Sequence, residues 1–236
     1  MAYIQGNPVD GLKQTVTRHL FLMVTVTVVL AGMMIVFSDD PMAEMATIAA
    51  ITISCTAIIG FVSFRSNPLA LTMLFNPARF KKAVGEEEAV IRQLETLSDR
   101  CYVFNNLTLE LFRIDHLVIS PWGLFVMGRV RKEGELELNN SILHAGGASL
   151  DSLCTNTWRI CHLLNIVIRK GWSEEVMPSP VIVPHAGHPT QLTTVDGMDV
   201  INAEHLAAHI EKGREETIGE ELVESVAAYI LKRYTA

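Results

Sequence analysis

The segment Ile114-Asp115-His116-Leu117-Val118-Ile119-Ser120-Pro121-Trp122-Gly123-Leu124-Phe125-Val126-Met127-Gly128 constrains the fold of this chain more than any other. Two short apolar runs of strand composition flank a Pro/Gly turn, which is the pattern of a β-hairpin. The first run carries a single acid, Asp115. An acid inside an otherwise apolar strand must be paired, hydrogen-bonded or functional.

A second signal lies upstream. Leu20–Phe37 and Met45–Phe64 are uncharged and mostly apolar. Runs of about 18 to 20 residues in helical geometry reach roughly the ~30 Å of a bilayer core. The alternatives are a signal peptide for the first run or a pair of buried core helices. A signal peptide lacks a small-residue cleavage site here, and neither run has a polar face. Lys13 and Arg18 precede the first run, and Arg65, Arg79, Lys81 and Lys82 follow the second. The connecting Ser38–Glu44 holds Asp39, Asp40 and Glu44 and no base. The positive-inside rule then puts both termini in the cytoplasm of a bacterial inner-membrane protein. Ala46, Ala50, Ser54, Ala57 and Gly60 form a small-residue face. It suits packing of the two spans on each other or self-association.

The domains expected are a membrane hairpin over 1–64, a juxtamembrane connector over 65–84 and a cytoplasmic domain over 85–236. Within the connector, Leu69–Phe75 is apolar enough to lie at the lipid interface, with Arg79, Lys81 and Lys82 toward headgroups. The remainder reads as a helix over Gly85–Arg100 with Glu86, Glu87 and Glu88 at its N-terminus. Strands follow over 101–111, 112–119, 124–130 and 134–138. Then come a long amphipathic helix over 150–170, short strands at 180–184 and 199–201, and helices over 203–212 and 217–234. This order predicts an α/β sandwich around a mixed sheet. Residues 65–236 carry 22 Asp+Glu against 17 Lys+Arg. That sign argues against strong nonspecific DNA binding, although Arg129, Arg131 and Lys132 form a local basic cluster.

Gly85-Glu86, Ile114-Asp115-His116 and Gly123-Leu124-Phe125-Val126-Met127 together resemble the nuclease-related domain (NERD) family, whose fold is restriction-endonuclease-like. The resemblance implies a Glu from the first helix, an Asp from the second strand and a Glu-x-Lys pair from the third, converging on a divalent cation. Glu86 and Asp115 match the first two. The alignment puts Gly128 and Val130 in the paired positions, where neither can bind a metal or carry charge, and leaves Arg129 and Arg131 on the other face of a regular strand; a one-residue bulge would swing Arg129 into the site without supplying a second carboxylate. Asn156-Thr157-Trp158-Arg159-Ile160 keeps the Asn of a further family stretch but not its Pro or Gln. Glu133 or Glu135 is the alternative source of a displaced acid.

Other constellations carry less. His205 and His209, or His185 and His188, have zinc-compatible spacing without a third ligand. Cys55, Cys101, Cys154 and Cys161 read as reduced, small hydrophobes. Trp122 reads as a core or rim residue. The expectation is a catalytically degenerate nuclease-related domain at the membrane, without cofactor. It would bind or scaffold protein partners, with self-association and weak nucleic-acid contact as further expectations, in a setting such as a DNA-transfer or mobile-element machine. Two alternatives stand beside it: an active Mg²⁺-dependent nuclease using Asp115, Glu86 and a displaced acid, and a purely structural subunit.

Overall fold

A computed structural model describes residues 1–6, 8–37, 45–66, 76–186, 190–211 and 215–234; in the first two helices the described side chains are those of 17, 21–36 and 45–61. The chain divides into two compact units, Met1–Pro8 with Gly85–Ala236, and Val9–Val84.

The second unit holds helices α1 (Pro8–Phe37) and α2 (Met45–Ser66). Thr27 and Thr56 join them through a hydroxyl–hydroxyl bond of 3.0 Å, and Thr52 donates to Met34 Sδ at 3.9 Å. Ile48 and Gly60 are buried, whereas Ala46, Ala50, Ser54 and Ala57 are exposed. Most of the small-residue face therefore points away from α1. Over the described residues, no helix is long and apolar enough to cross a membrane. The expected spans run past those residues, because the side chains of 20, 37 and 62–64 lie outside them. The two spans expected over Leu20–Phe37 and Met45–Phe64 are not found among the described residues. The loop 38–44 and the interfacial segment 69–75 also lie outside the described residues.

The first unit is built on a seven-stranded mixed sheet in the order β1-β2-β3-β4-β8-β10-β9. Its strands are β1 (Tyr3–Gln5), β2 (Tyr102–Leu109), β3 (Phe112–Ser120), β4 (Gly123–Arg129), β8 (Ser179–Val183), β9 (Thr194–Val195) and β10 (Met198–Val200). β2, β3 and β4 form an antiparallel meander, while β4, β8 and β10 are parallel neighbours. A smaller antiparallel sheet, β5 (Leu136–Asn139), β6 (Ile142–Ala145) and β7 (Ala148–Ser149), lies between β4 and the long helix α4 (Asp151–Trp172) in sequence. Parallel strands need such a long crossover, and this segment supplies it.

Helices cover both faces of the large sheet. α3 (Pro77–Glu95) and α5 (Leu206–Glu211) bury Val90, Leu94, Leu206 and Ile210 against Val103, Val118, Phe125, Met127, Val181 and Val183. On the opposite face α4 and α6 (Glu220–Tyr234) bury Ile160, Leu164, Val226 and Ile230 against Phe104, Leu117, Ile119 and Val126. Odd and even positions of β4 thus serve different cores, as strand alternation requires.

Several expectations change. α3 starts at Pro77, where Arg79 N–H donates to Asn76 Oδ1 at 3.0 Å as a cap. Glu86, Glu87 and Glu88 therefore sit in mid-helix, not at a helix N-terminus. β1, β6, β7 and β9 have no counterpart in the sequence reading. β1 is the most consequential, because it adds the first residues of the chain to the far edge of the sheet beside β2.

Candidate functional site

Asp115 stands where two ladders fail together. Between β2 and β3 the pairing passes from Asn105↔His116 to Leu107↔Ile114, leaving out Asn106 and Asp115, and Asn106 has a left-handed φ of 54°. Between β3 and β4 the pairing ends at His116↔Met127. β4 itself continues, paired to β8 as far as Arg129↔Val183. The N–H of Arg129 consequently lacks a main-chain acceptor on the β3 side. Asp115 Oδ2 replaces it at 3.1 Å, and Asp115 Oδ1 accepts from Arg131 Nη2 at 2.6 Å.

Beside this fork, under α3, lies a buried polar cluster. Glu87, His116 and Arg129 are 4%, 0% and 6% exposed. Glu87 Oε1 is 3.2 Å from His116 Nε2, and Glu87 Oε2 is 3.4 Å from Arg129 Nε. Neither approach is a well-directed hydrogen bond, since Glu87 Oε1, His116 Nε2 and Arg129 Nε and Nη1 all lack one. Burial pushes the Glu87 carboxyl up, but His116 and the Arg129 guanidinium outweigh it and hold the pKa at about 2. On its other ring nitrogen, His116 Nδ1 meets Asn105 Oδ1 at 2.7 Å, and Asn105 Nδ2 donates to Gly6 O at 3.2 Å.

The expected site residues are distributed differently from the sequence reading. Glu86 is mostly buried and pairs with His185, which follows β8, at 3.2 Å. Gly128 and Val130 face α4, away from Asp115. A Cβ at Gly128 would stand 2.8 Å from Thr157 Oγ1 and 3.1 Å from Leu153 Cδ1, and Val130 packs in a core with Leu150 and Cys154. The groups that do meet Asp115 are the main-chain N–H of Arg129 and the guanidinium of Arg131. Of the basic cluster, Arg129 is buried, Arg131 is engaged by Asp115, and Lys132 donates to Ser149 O at 3.3 Å. These three do not form a free basic patch. Glu133 and Glu135 are exposed in the segment before β5.

Among the described residues, no three His, Cys, Asp or Glu gather where they could hold a metal ion. His209 instead meets Asp199 at 3.1 Å and His205 meets Glu204 at 3.5 Å, while His188 lies outside the described residues. The four cysteines are free, and burial raises the thiol pKa of Cys101 to about 11 and of Cys161 to about 12. Trp122 is half-buried at the core edge, with Arg100 5.9 Å from its ring centre.

Glu87, Asn105, His116 and His185 were not singled out by sequence reasoning as parts of the site. A signal existed for Glu87: it falls three and seven residues before Val90 and Leu94, on the buried face of the helix. His116 likewise alternates with Val118.

Residues 81–128 match the family model described as Nuclease-related domain. The match takes in Glu86, Glu87, Asp115 and His116 and ends at Gly128, before the two arginines. No curated protein and no solved structure matches the chain.

Proposed function

We propose that this chain is a catalytically degenerate nuclease-related protein that works by binding, as a scaffold or docking component held at the bacterial inner membrane. The supporting observation is that both acids nearest the strand fork are already engaged by the chain's own groups. Asp115 has Arg131 and the Arg129 N–H; Glu87 has Arg129 and His116. The residues present do not fit a divalent cation of the Mg²⁺ or Mn²⁺ kind. Such ions take about six oxygen ligands and rely on carboxylates with free lone pairs. Here the Asp115 carboxylate is engaged on both oxygens, by the Arg129 N–H and by Arg131.

Membrane anchoring rests on the apolar character of α1 and α2 and on its exposure. Phe21 and Phe61 are 71% and 68% exposed, and Val24, Val28, Ile53 and Ile58 accompany them. Apolar surface on this scale needs lipid or protein to cover it. With helix lengths of 30 and 22 residues, a two-span hairpin supplies the simplest cover. The basic flanks orient it with both termini in the cytoplasm. A DNA-transfer or mobile-element machine is the setting proposed for such a part, with protein partners as its main ligands.

The test is cleavage by the full-length protein in detergent micelles, offered DNA and RNA with Mg²⁺ or Mn²⁺. No metal-dependent cleavage is expected. Cleavage that Asp115→Asn abolishes would overturn the reading and establish an active nuclease; Glu133→Gln and Glu135→Gln would then show whether a displaced acid carries it.

A further inference from the structure

The first six residues are seated by contacts that end inside the site. Ala2 N–H donates to Leu97 O at 3.0 Å and Tyr3 N–H to Cys101 O at 2.9 Å. β1 then runs parallel to β2 in the register Tyr3↔Tyr102, Ile4↔Val103 and Gln5↔Phe104. Ala2 and Ile4 pack on the core that contains Val90 and Val103. Just past the strand, Gly6 O accepts from Asn105 Nδ2. That carbonyl can only accept, so it fixes the Asn105 amide with its nitrogen toward Gly6 and its oxygen toward His116. His116 Nδ1 must then donate to Asn105 Oδ1, and Nε2 is left facing Glu87. One continuous line of polar groups joins the main chain of residue 6 to Glu87 and Arg129.

We propose that the N-terminal strand is a structural part of this site. Seated on β2, it orients Asn105, and Asn105 orients His116 against Glu87. Asn105 and His116 are positioning residues, and the cluster is fully ordered only while residues 2–6 are in place. Two costs follow its release. The edge of β2 loses its partner. The Asn105 amide, 5% exposed, loses the acceptor that sets its direction. The site is thus assembled from both flanks of the α1–α2 segment, and detaching the upstream flank loosens it. This stands whether or not the site is catalytic.

Gly6 permits a selective test in the full-length protein. It has a φ of +83°, and a Cβ there would stand 2.4 Å from Asn105 O, so Gly6→Ala must displace the strand end. Gly147→Ala is the matched control, with a φ of +77° and nothing within 4 Å of the added carbon. It carries similar backbone strain without the collision. The readouts are hydrogen–deuterium exchange over 2–6 and 102–105 and the ¹⁵N ring signals of His116. Gly6→Ala is expected to raise exchange over 102–105 by about tenfold, the factor that accompanies one hydrogen bond, and to move the His116 Nδ1 signal. Gly147→Ala should change neither. Tyr3→Pro, which removes the Tyr3 donor at a 44% exposed residue, is the second variant and should act in the same direction. The proposal fails if both variants match Gly147→Ala in these readouts. It also fails if both unfold the whole unit while Gly147→Ala remains folded, since the strand would then be indispensable to the fold and not a local support of the site.

Discussion

Arg131 Nη2 lies 2.6 Å from Asp115 Oδ1, while the other oxygen of the same carboxylate takes the Arg129 N–H at 3.1 Å. The two bonds differ in worth. Arg131 is 43% exposed in its side chain, and an ion pair that water can reach contributes roughly 0–1 kcal/mol. The Arg129 N–H sits where the β3 ladder has ended, and losing its acceptor costs about 1–3 kcal/mol.

Asp115→Ala should therefore destabilise the fold by more than Arg131→Ala, in denaturant melts of the full-length protein. Equal losses would show that the ion pair, and not the strand-fork hydrogen bond, is what Asp115 supplies. Neither change should create metal-dependent cleavage.

Glu87 predicts the acid behaviour. Its folded pKa of about 2 lies below the ordinary value of 4.5. A depressed carboxyl contributes stability that is present above the unfolded pKa and lost as pH falls through the folded one. The loss attributable to Glu87 should thus fall between about pH 4.5 and pH 2. Glu87→Gln should flatten that part of the stability–pH curve. It should also cost roughly 3–5 kcal/mol near neutral pH, because it leaves Arg129 buried without its carboxylate. An acid limb identical to the wild type would refute the assignment.

How much of this site could be read in advance depended on which bonds were local. The hairpin around Pro121–Gly123, the placement of Asp115 on a strand beside β4 and the two-sided sheet all follow from alternation of apolar residues over short distances. The position of the arginines did not. The family resemblance puts the paired positions at Gly128 and Val130, which face α4, while Asp115 meets the Arg129 N–H and Arg131; which groups meet across strands depends on register, a tertiary property. β1 was hidden for the same kind of reason. Tyr3–Gln5 is too short to show periodicity, and its partner Tyr102–Phe104 lies across the whole α1–α2 segment. Glu87 resembles a helix-N-terminal acid when the helix starts at Gly85; with the start at Pro77 it sits in mid-helix, on the buried face it shares with Val90 and Leu94.

Gly128 tests that register directly. Its added Cβ would meet Thr157 Oγ1 at 2.8 Å and Leu153 Cδ1 at 3.1 Å. Gly128→Ala should lower stability by about 1–3 kcal/mol, the usual cost of overpacking a tight core. Thr157→Ala in the same chain should recover part of that loss, giving a measurable coupling between neighbours. Gly128→Glu with Val130→Lys should give an unstable protein with no gain in metal binding, since both side chains would enter the α4 core. Metal binding by that double variant would show that position 128 faces Asp115 after all.

The arrangement of the two units makes a prediction about topology. Met1–Pro8 and Gly85–Ala236 form one compact unit, so the chain leaves it and returns to it around Val9–Val84. With β1 hydrogen-bonded to β2, the residues on either side of that segment must share a compartment. A membrane-inserted α1–α2 segment must then cross an even number of times, independently of where its charges fall. In the membrane-anchored reading proposed above, the basic flanks assign that compartment to the cytoplasm. Alkaline phosphatase, active only outside the cytoplasm, should be silent when fused after Ala236 and active when inserted within 38–44. Membranes washed with alkaline carbonate should retain the protein. Release by that wash would remove the membrane anchor, and an active fusion at Ala236 would reverse the orientation. Activity at 236 together with cytoplasmic accessibility of Tyr3 would be incompatible with the β1–β2 pairing itself.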